Sequence, residues 1–201
     1  MTSTDLTAVS TSVVREPLER PRVVSVGMSL VCVAVGVWFA TLLGVYLLAR
    51  SAVLSAGDEW LGGVDVPLQT SNVMLATLCS SAVIAHWAHW AVVRNDRRHA
   101  YLALFLLLVF GAAYINATSW QYQQMGLVAA ESLAGLLVYV ITGSHLVLTV
   151  VGMLAVFVTA FRALAGQYKA DQHDGVLATV VLWDVVVATF VLVWFAVYIT
   201  K

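Results

Sequence analysis

The segment Val176–Ile199, VLATVVLWDVVVATFVLVWFAVYI, decides the fold of this chain. It holds one charged side chain, Asp184, in an otherwise apolar run. At about 1.5 Å of rise per residue, a helix of this length spans roughly 36 Å, enough to cross ~30 Å of hydrocarbon. The run is long and unbroken and lacks the weak alternation of a barrel strand, so a membrane helix is expected. Four more stretches read the same way: Val23–Ala49, Leu68–Val93, Ala100–Trp120 and Leu133–Phe161. Pro17, Pro21 and Pro67 all fall outside these runs, where a helix can begin without losing a bond. The expected fold class is therefore all-α: an integral membrane protein of five transmembrane helices. Residues 1–22 form a polar tail and residues 23–201 the membrane domain.

Composition agrees. The chain has 201 residues, 61% apolar and 10% charged, against ~25% charged in an ordinary soluble domain. Its mean hydropathy is +0.91. These values exclude a disordered chain, a disulfide scaffold and a typical water-soluble enzyme. A net charge of −1 offers no basic surface for nucleic acid. Cys32 and Cys79 both lie inside apolar runs and read as small packing residues rather than a disulfide or a metal pair. The first 22 residues, rich in Ser and Thr, lack the apolar core of a signal peptide.

Orientation follows from Lys and Arg. Arg15, Arg20, Arg22, Arg94, Arg97, Arg98, Arg162 and Lys169 lie on one side; only Arg50 and Lys201 lie on the other. Eight against two puts the N-terminus in the cytoplasm and the C-terminus outside, which requires an odd number of spans. No loop is long enough to form a soluble domain. The longest outer loop, Arg50–Asp65, is acidic and carries Trp60.

Ionisable groups inside hydrocarbon are costly and mark candidate sites. Asp184 lies about eight residues into the fifth span, ~12 Å from the inner surface. His86 and His89 sit near the inner end of the second span, ~6–10 Å deep, and at three residues' separation they share a helix face. His145 lies near the middle of the fourth. Together they make a candidate intramembrane polar cluster, with Asp184 held by a histidine of the second or fourth span. A buried carboxylate must be protonated or paired. Such a cluster can serve as a metal site or a proton relay; the plainer reading is interhelical hydrogen bonding. Two histidines at i, i+3 lack a third ligand in the same motif. His86 or His89 with His145 can in principle hold a haem, but at different depths. Small residues mark expected helix contacts: Gly36, Ala40 and Gly44 on the first span, and Gly135, Gly143 and Gly152 on the fourth. The sequence has no CxxCH haem attachment, Walker loop or HExxH.

Several motifs resemble those of one family, subunit III of the haem-copper oxidases, the cytochrome c and quinol oxidase group. Trp87-Ala88-His89, Asp96-Arg97-Arg98-His99 and Ala103-Leu104-Phe105 are similar to its W-A-H, D-R-K-H and A-L-F, at the same spacing without gaps. Thr142-Gly143-Ser144-His145, with Gly152 seven residues on, resembles its T-G-x-H-G-x-H-V-x-x-G. The opening from Arg22 to Tyr46, with Gly27-Met28 and Trp38-Phe39, resembles the first span of the five-helix bacterial form. Trp183 matches the Trp of Y-W-H-F-V-D.

The chain also departs from the family. The family's first-span glutamate falls at Val35, and the Gln and Glu of its Q-x-x-E-Y fall at Thr118 and Gln121. The second His of the T-G-x-H-G-x-H motif falls at Leu148. In the last span, Asp184 stands in place of a His and Val187 in place of an Asp. The resemblance implies a V-shaped helix bundle in a bacterial cytoplasmic (inner) membrane. It implies no catalytic, cofactor or metal residue in this chain: haem and copper belong to partner subunits I and II, with phospholipid bound in a cleft. The implied role is a non-catalytic subunit of a respiratory terminal oxidase, stabilising the redox subunits and organising lipid, with no soluble small-molecule substrate of its own. The alternative is an accessory or assembly protein of the same fold, such as a nitric oxide reductase-associated paralogue.

Overall fold

The computed structural model describes residues 23–62, 64, 66–168 and 173–200. The polar tail, Asp65 and Lys169 from the loop and charge readings, and Lys201 lie outside the described residues. Five helices follow in order: α1 (Val23–Ser55), α2 (Leu68–Val93), α3 (Arg97–Gln124), α4 (Leu133–Leu164) and α5 (Asp174–Val193). The last continues as a π-helical segment, Trp194–Ile199. All five are long and apolar enough to cross a membrane, and the chain is an all-helical, multi-pass membrane protein.

The helices overrun the apolar runs where local chemistry lets them. α1 continues to Ser55, and α3 begins at Arg97 because the turn before it satisfies both helix ends. Asn95 adopts a left-handed conformation, φ 56°. The Asn95 N–H donates to the Val92 carbonyl at 3.0 Å and the Asp96 N–H to the Ala91 carbonyl at 2.9 Å. This closes α2 with a Schellman pair. Asp96 then caps α3, accepting from the His99 backbone N–H at 3.2 Å and from its ring Nδ1 at 2.6 Å. The D-R-R-H stretch is thus a helix start, with Arg97 and Arg98 exposed beside it.

α5 is the centre of the bundle. It packs against α1, α2 and α4, while α3 closes the ring between α2 and α4. Lipid removes most of the hydrophobic drive between membrane helices, so close packing and hydrogen bonds decide their association. Trp183 shows both. It is fully buried, and its Nε1–H donates to Ser81 Oγ on α2 at 2.9 Å. Its ring lies against the α-carbons of Gly111 and Gly152: a Cβ on either would meet the ring at 3.2 Å. Thr159 and Thr179 tie α4 to α5 at 2.7 Å, and Tyr122 donates to Thr142 at 2.9 Å to tie α3 to α4.

The expected glycine contacts are corrected in part. Gly36, Gly44 and Gly143 face open space, with nothing within 4 Å of an added Cβ. They make no close helix contact within this chain. Gly152 does, whereas Gly135 meets the Val128 carbonyl of the loop before α4 at 2.9 Å. Gly111, not anticipated, does so too. The Arg50–Asp65 loop is also shorter than expected, and Trp60 is buried, donating to Tyr46 Oη at 3.0 Å.

Candidate functional site

The four residues expected to form one polar cluster are divided among three places. His86 and Asp184 meet across α2 and α5, with Nε2 to Oδ1 at 3.1 Å. His86 lies seven residues before the end of α2 and Asp184 ten residues into α5, so the pair sits ~10–15 Å along the helices from the end that carries Arg94, Arg97, Arg98 and Arg162. It faces outward: the side chains are 62% and 40% exposed.

His89 points elsewhere. Its ring packs on His173, just before α5, with centroids 5.3 Å apart. Its Nε2 is buried and finds no hydrogen-bond partner among the described residues. Ala85 and Ala88 are fully buried and set the core-facing line of α2. His86 and His89 lie to the same side of that line, about 60° and nearly one turn apart, so they meet the α5 segment at different levels: His86 at Asp184 within the helix and His89 at His173 before it.

His145 is separate again, fully buried among Phe39, Tyr114 and Phe190. Its Nε2 lies 2.9 Å from the Val186 carbonyl and its Nδ1 2.7 Å from Tyr114 Oη. A carbonyl only accepts, so Nε2 carries the proton and Nδ1 accepts from the tyrosine hydroxyl. Both nitrogens are occupied, which removes His145 as a haem partner for His86 or His89. Among the described residues, no group of three or more His, Cys, Asp or Glu side chains is placed to hold a metal. Cys32 and Cys79 are free thiols.

The remaining motif residues have structural work. Trp87 packs near the His99 ring, 5.9 Å between centroids. Thr142 accepts from Tyr122 and donates to the Val138 carbonyl at 2.7 Å. Gly143 is half-exposed. Gln121 is buried and donates to the Pro67 carbonyl at 3.0 Å, holding the start of α2 to α3. Val35 lines an apolar cleft of about 610 Å³ between α1 and α4, with Met28, Trp38, Val147 and Val151 along its walls and Ser144 as its polar edge. The resemblance implied a lipid cleft but did not place it, and sequence reasoning did not locate this one. The signal for it was α1 itself, whose apolarity runs all round the helix and leaves one face for lipid or for another chain.

A five-helix membrane bundle held by paired tryptophan, histidine and threonine contacts is a structural class rather than a chemistry. The comparisons narrow it. The family described as Cytochrome c oxidase subunit III matches residues 11–201. Cytochrome c oxidase subunit 3 of Strongylocentrotus purpuratus is 30% identical over 130 residues, 64% of this chain and 48% of that protein. The same-named proteins of Bos taurus and Bos mutus grunniens are each 26% identical over 142 residues, 71% of this chain and 53% of theirs. The chain belongs to the cytochrome c oxidase subunit III family. It spans about half the length of the curated relatives it matches.

Proposed function

We propose that this chain is a non-catalytic, subunit III-type component of a respiratory haem-copper terminal oxidase. The family match over residues 11–201 carries this reading. Haem and copper would reside on partner subunits I and II, which perform the electron transfer and oxygen reduction. The chain would sit in a bacterial cytoplasmic membrane with its arginine-bearing end in the cytoplasm. The described part of that end holds Arg94, Arg97, Arg98 and Arg162, against Arg50 near the other.

The geometry supports a stabilising and lipid-organising role. α5 is bonded to α2 through Trp183 and to α4 through Thr179 and its Val186 carbonyl, which accepts from His145. The α1/α4 cleft is long, open and almost wholly apolar, which suits a phospholipid acyl chain. Neither Val35 nor Gln121 can supply a carboxylate, so proton exchange at those positions is not part of this reading.

The test is gentle detergent purification through a tag on this chain. Co-purification of haem-bearing chains, seen by their absorbance, supports the proposal. A colourless bundle, from membranes in which the oxidase is present, overturns it and favours an accessory protein of the same fold.

A further inference from the structure

We infer that the outer face shared by α2 and α5 is a docking surface for a transmembrane helix of another chain, and that His86–Asp184 is its polar contact. The partner helix would present a hydrogen-bond donor level with Asp184. This inference rests on the reading that the chain works inside a multi-chain membrane complex.

Two exposed stripes meet here. Val83, His86 and Trp90 follow one another at helical spacing on α2, and Asp184, Ala188, Leu192 and Phe195 do so on α5. Val83, Trp90, Leu192 and Phe195 are 71%, 49%, 55% and 59% exposed. Trp194 binds the stripes together further along, its Nε1–H donating to Asn72 Oδ1 at 2.9 Å. Away from the Asn72–Trp194 contact, the face is apolar except at the His–Asp pair. Ionisable side chains in membrane helices almost always turn to a protein interior or a watery cavity. This pair turns outward, so its interior lies in the complex.

The chemistry of the pair selects the occupant. With the His86 Nε2–H donating to Oδ1, Asp184 Oδ2 remains an outward acceptor, and His86 Nδ1 a second one. An acyl chain satisfies neither. A donor-bearing side chain (Asn, Gln, Ser, Thr, Tyr, Lys or Arg) satisfies both requirements, polar and steric. Ala188 beside the pair leaves room for the approach.

The test places a photo-crosslinking residue at Val83 in the full chain, in its native membranes, with a second reporter at Phe105 on α3 (63% exposed). The expected product from Val83 is an adduct with a transmembrane segment of a co-purifying oxidase chain that carries a donor at that depth. Asp184→Asn keeps an oxygen for His86 but turns the outward acceptor into a donor. It should cut that adduct about tenfold, as should the paired variant H86L/D184L. Helical content and melting temperature, measured alongside, confirm that each variant folds. An adduct only with a second copy of this chain, only with lipid, or undiminished in both variants overturns the inference. If haem-bearing chains co-purify while Val83 labels lipid alone, the docking surface fails and the proposed function stands. If no haem-bearing chain co-purifies but Val83 captures a donor-bearing helix of another membrane chain, the reverse holds.

Discussion

α1 and α5 are comparably apolar, yet only 17% of the most apolar stretch of α1 is buried within the chain, against 61% for α5. The difference lies in what interrupts the apolar run. α5 carries Thr179 and Trp183 with hydrogen bonds to α4 and α2, and its neighbours supply glycines where the Trp183 ring needs room. On α1, Ser29 and Thr41 bond back to their own helix, and Gly36 and Gly44 face nothing. Among equally greasy helices, the central one is marked by polar atoms that reach across and by large rings matched to small residues. Oil-like character alone does not mark it.

The sharpest break of that comparison is a pair of tryptophan truncations. Trp183→Ala removes a fully buried ring and the indole donor to Ser81 Oγ, at a cost of about 3–5 kcal/mol. Trp38→Ala on α1, 56% exposed, should leave the melting temperature in detergent nearly unchanged. Equal losses would show that α1 is held as tightly as α5. Next comes His145→Leu. It leaves the Tyr114 hydroxyl without its partner, costing about 1–3 kcal/mol, while the Val186 carbonyl keeps the Thr189 hydroxyl at 3.0 Å. Retained stability in the same melting measurement would mean that the interior reorganises around the change.

Glycine substitutions sharpen the contrast at a smaller scale. Gly152→Ala places a methyl 3.2 Å from the Trp183 ring and 3.3 Å from Val186, with both helices pressed close. Overpacking of this kind costs about 1–3 kcal/mol. Gly36→Ala meets nothing within 4 Å and should gain roughly 0.5–1 kcal/mol from helix propensity. If Gly36→Ala instead lowers the recovery of partner chains while the isolated chain melts as before, the open stripe of α1 is an interface in the complex.

How much of this was legible in sequence differs by level. The five helices and the membrane class were legible because length and apolarity are local properties. A histidine partner for Asp184 was legible from depth. The choice of His86 over His89 was not, because it depends on the level at which α2 lies beside α5, which packing between the two helices sets. His145 looked like a cluster member because its depth was readable but its facing was not. The Trp183 socket needs Gly111 and Gly152 from two other helices, and no sequence spacing relates residues on different helices. The His99–Asp96 cap was present as a motif match, but its role required the left-handed Asn95 before it.

That cap gives the smallest and most local prediction. The His99 backbone N–H, and then its side chain, hold the Asp96 carboxyl below the ordinary aspartate value of about 3.9. A carboxylate whose folded pKa is depressed contributes its stabilisation in full above the unfolded value and loses it as pH falls through the folded one. The first turn of α3 should therefore stay capped through the ordinary carboxylate range and loosen only below it. Carboxyl carbon NMR of selectively labelled aspartate should place the Asp96 midpoint beneath 3.9. Asp96→Asn, which retains an oxygen for the His99 N–H, should keep the turn and remove its pH dependence. Asp96→Ala should fray Arg97–Ala100 at every pH, visible as faster amide exchange confined to that turn. An Asp96 midpoint at or above 3.9 would show that the two His99 contacts do not favour the charged carboxylate, and the α2–α3 turn would then have to be held by the Schellman bonds of Asn95 and Asp96 alone.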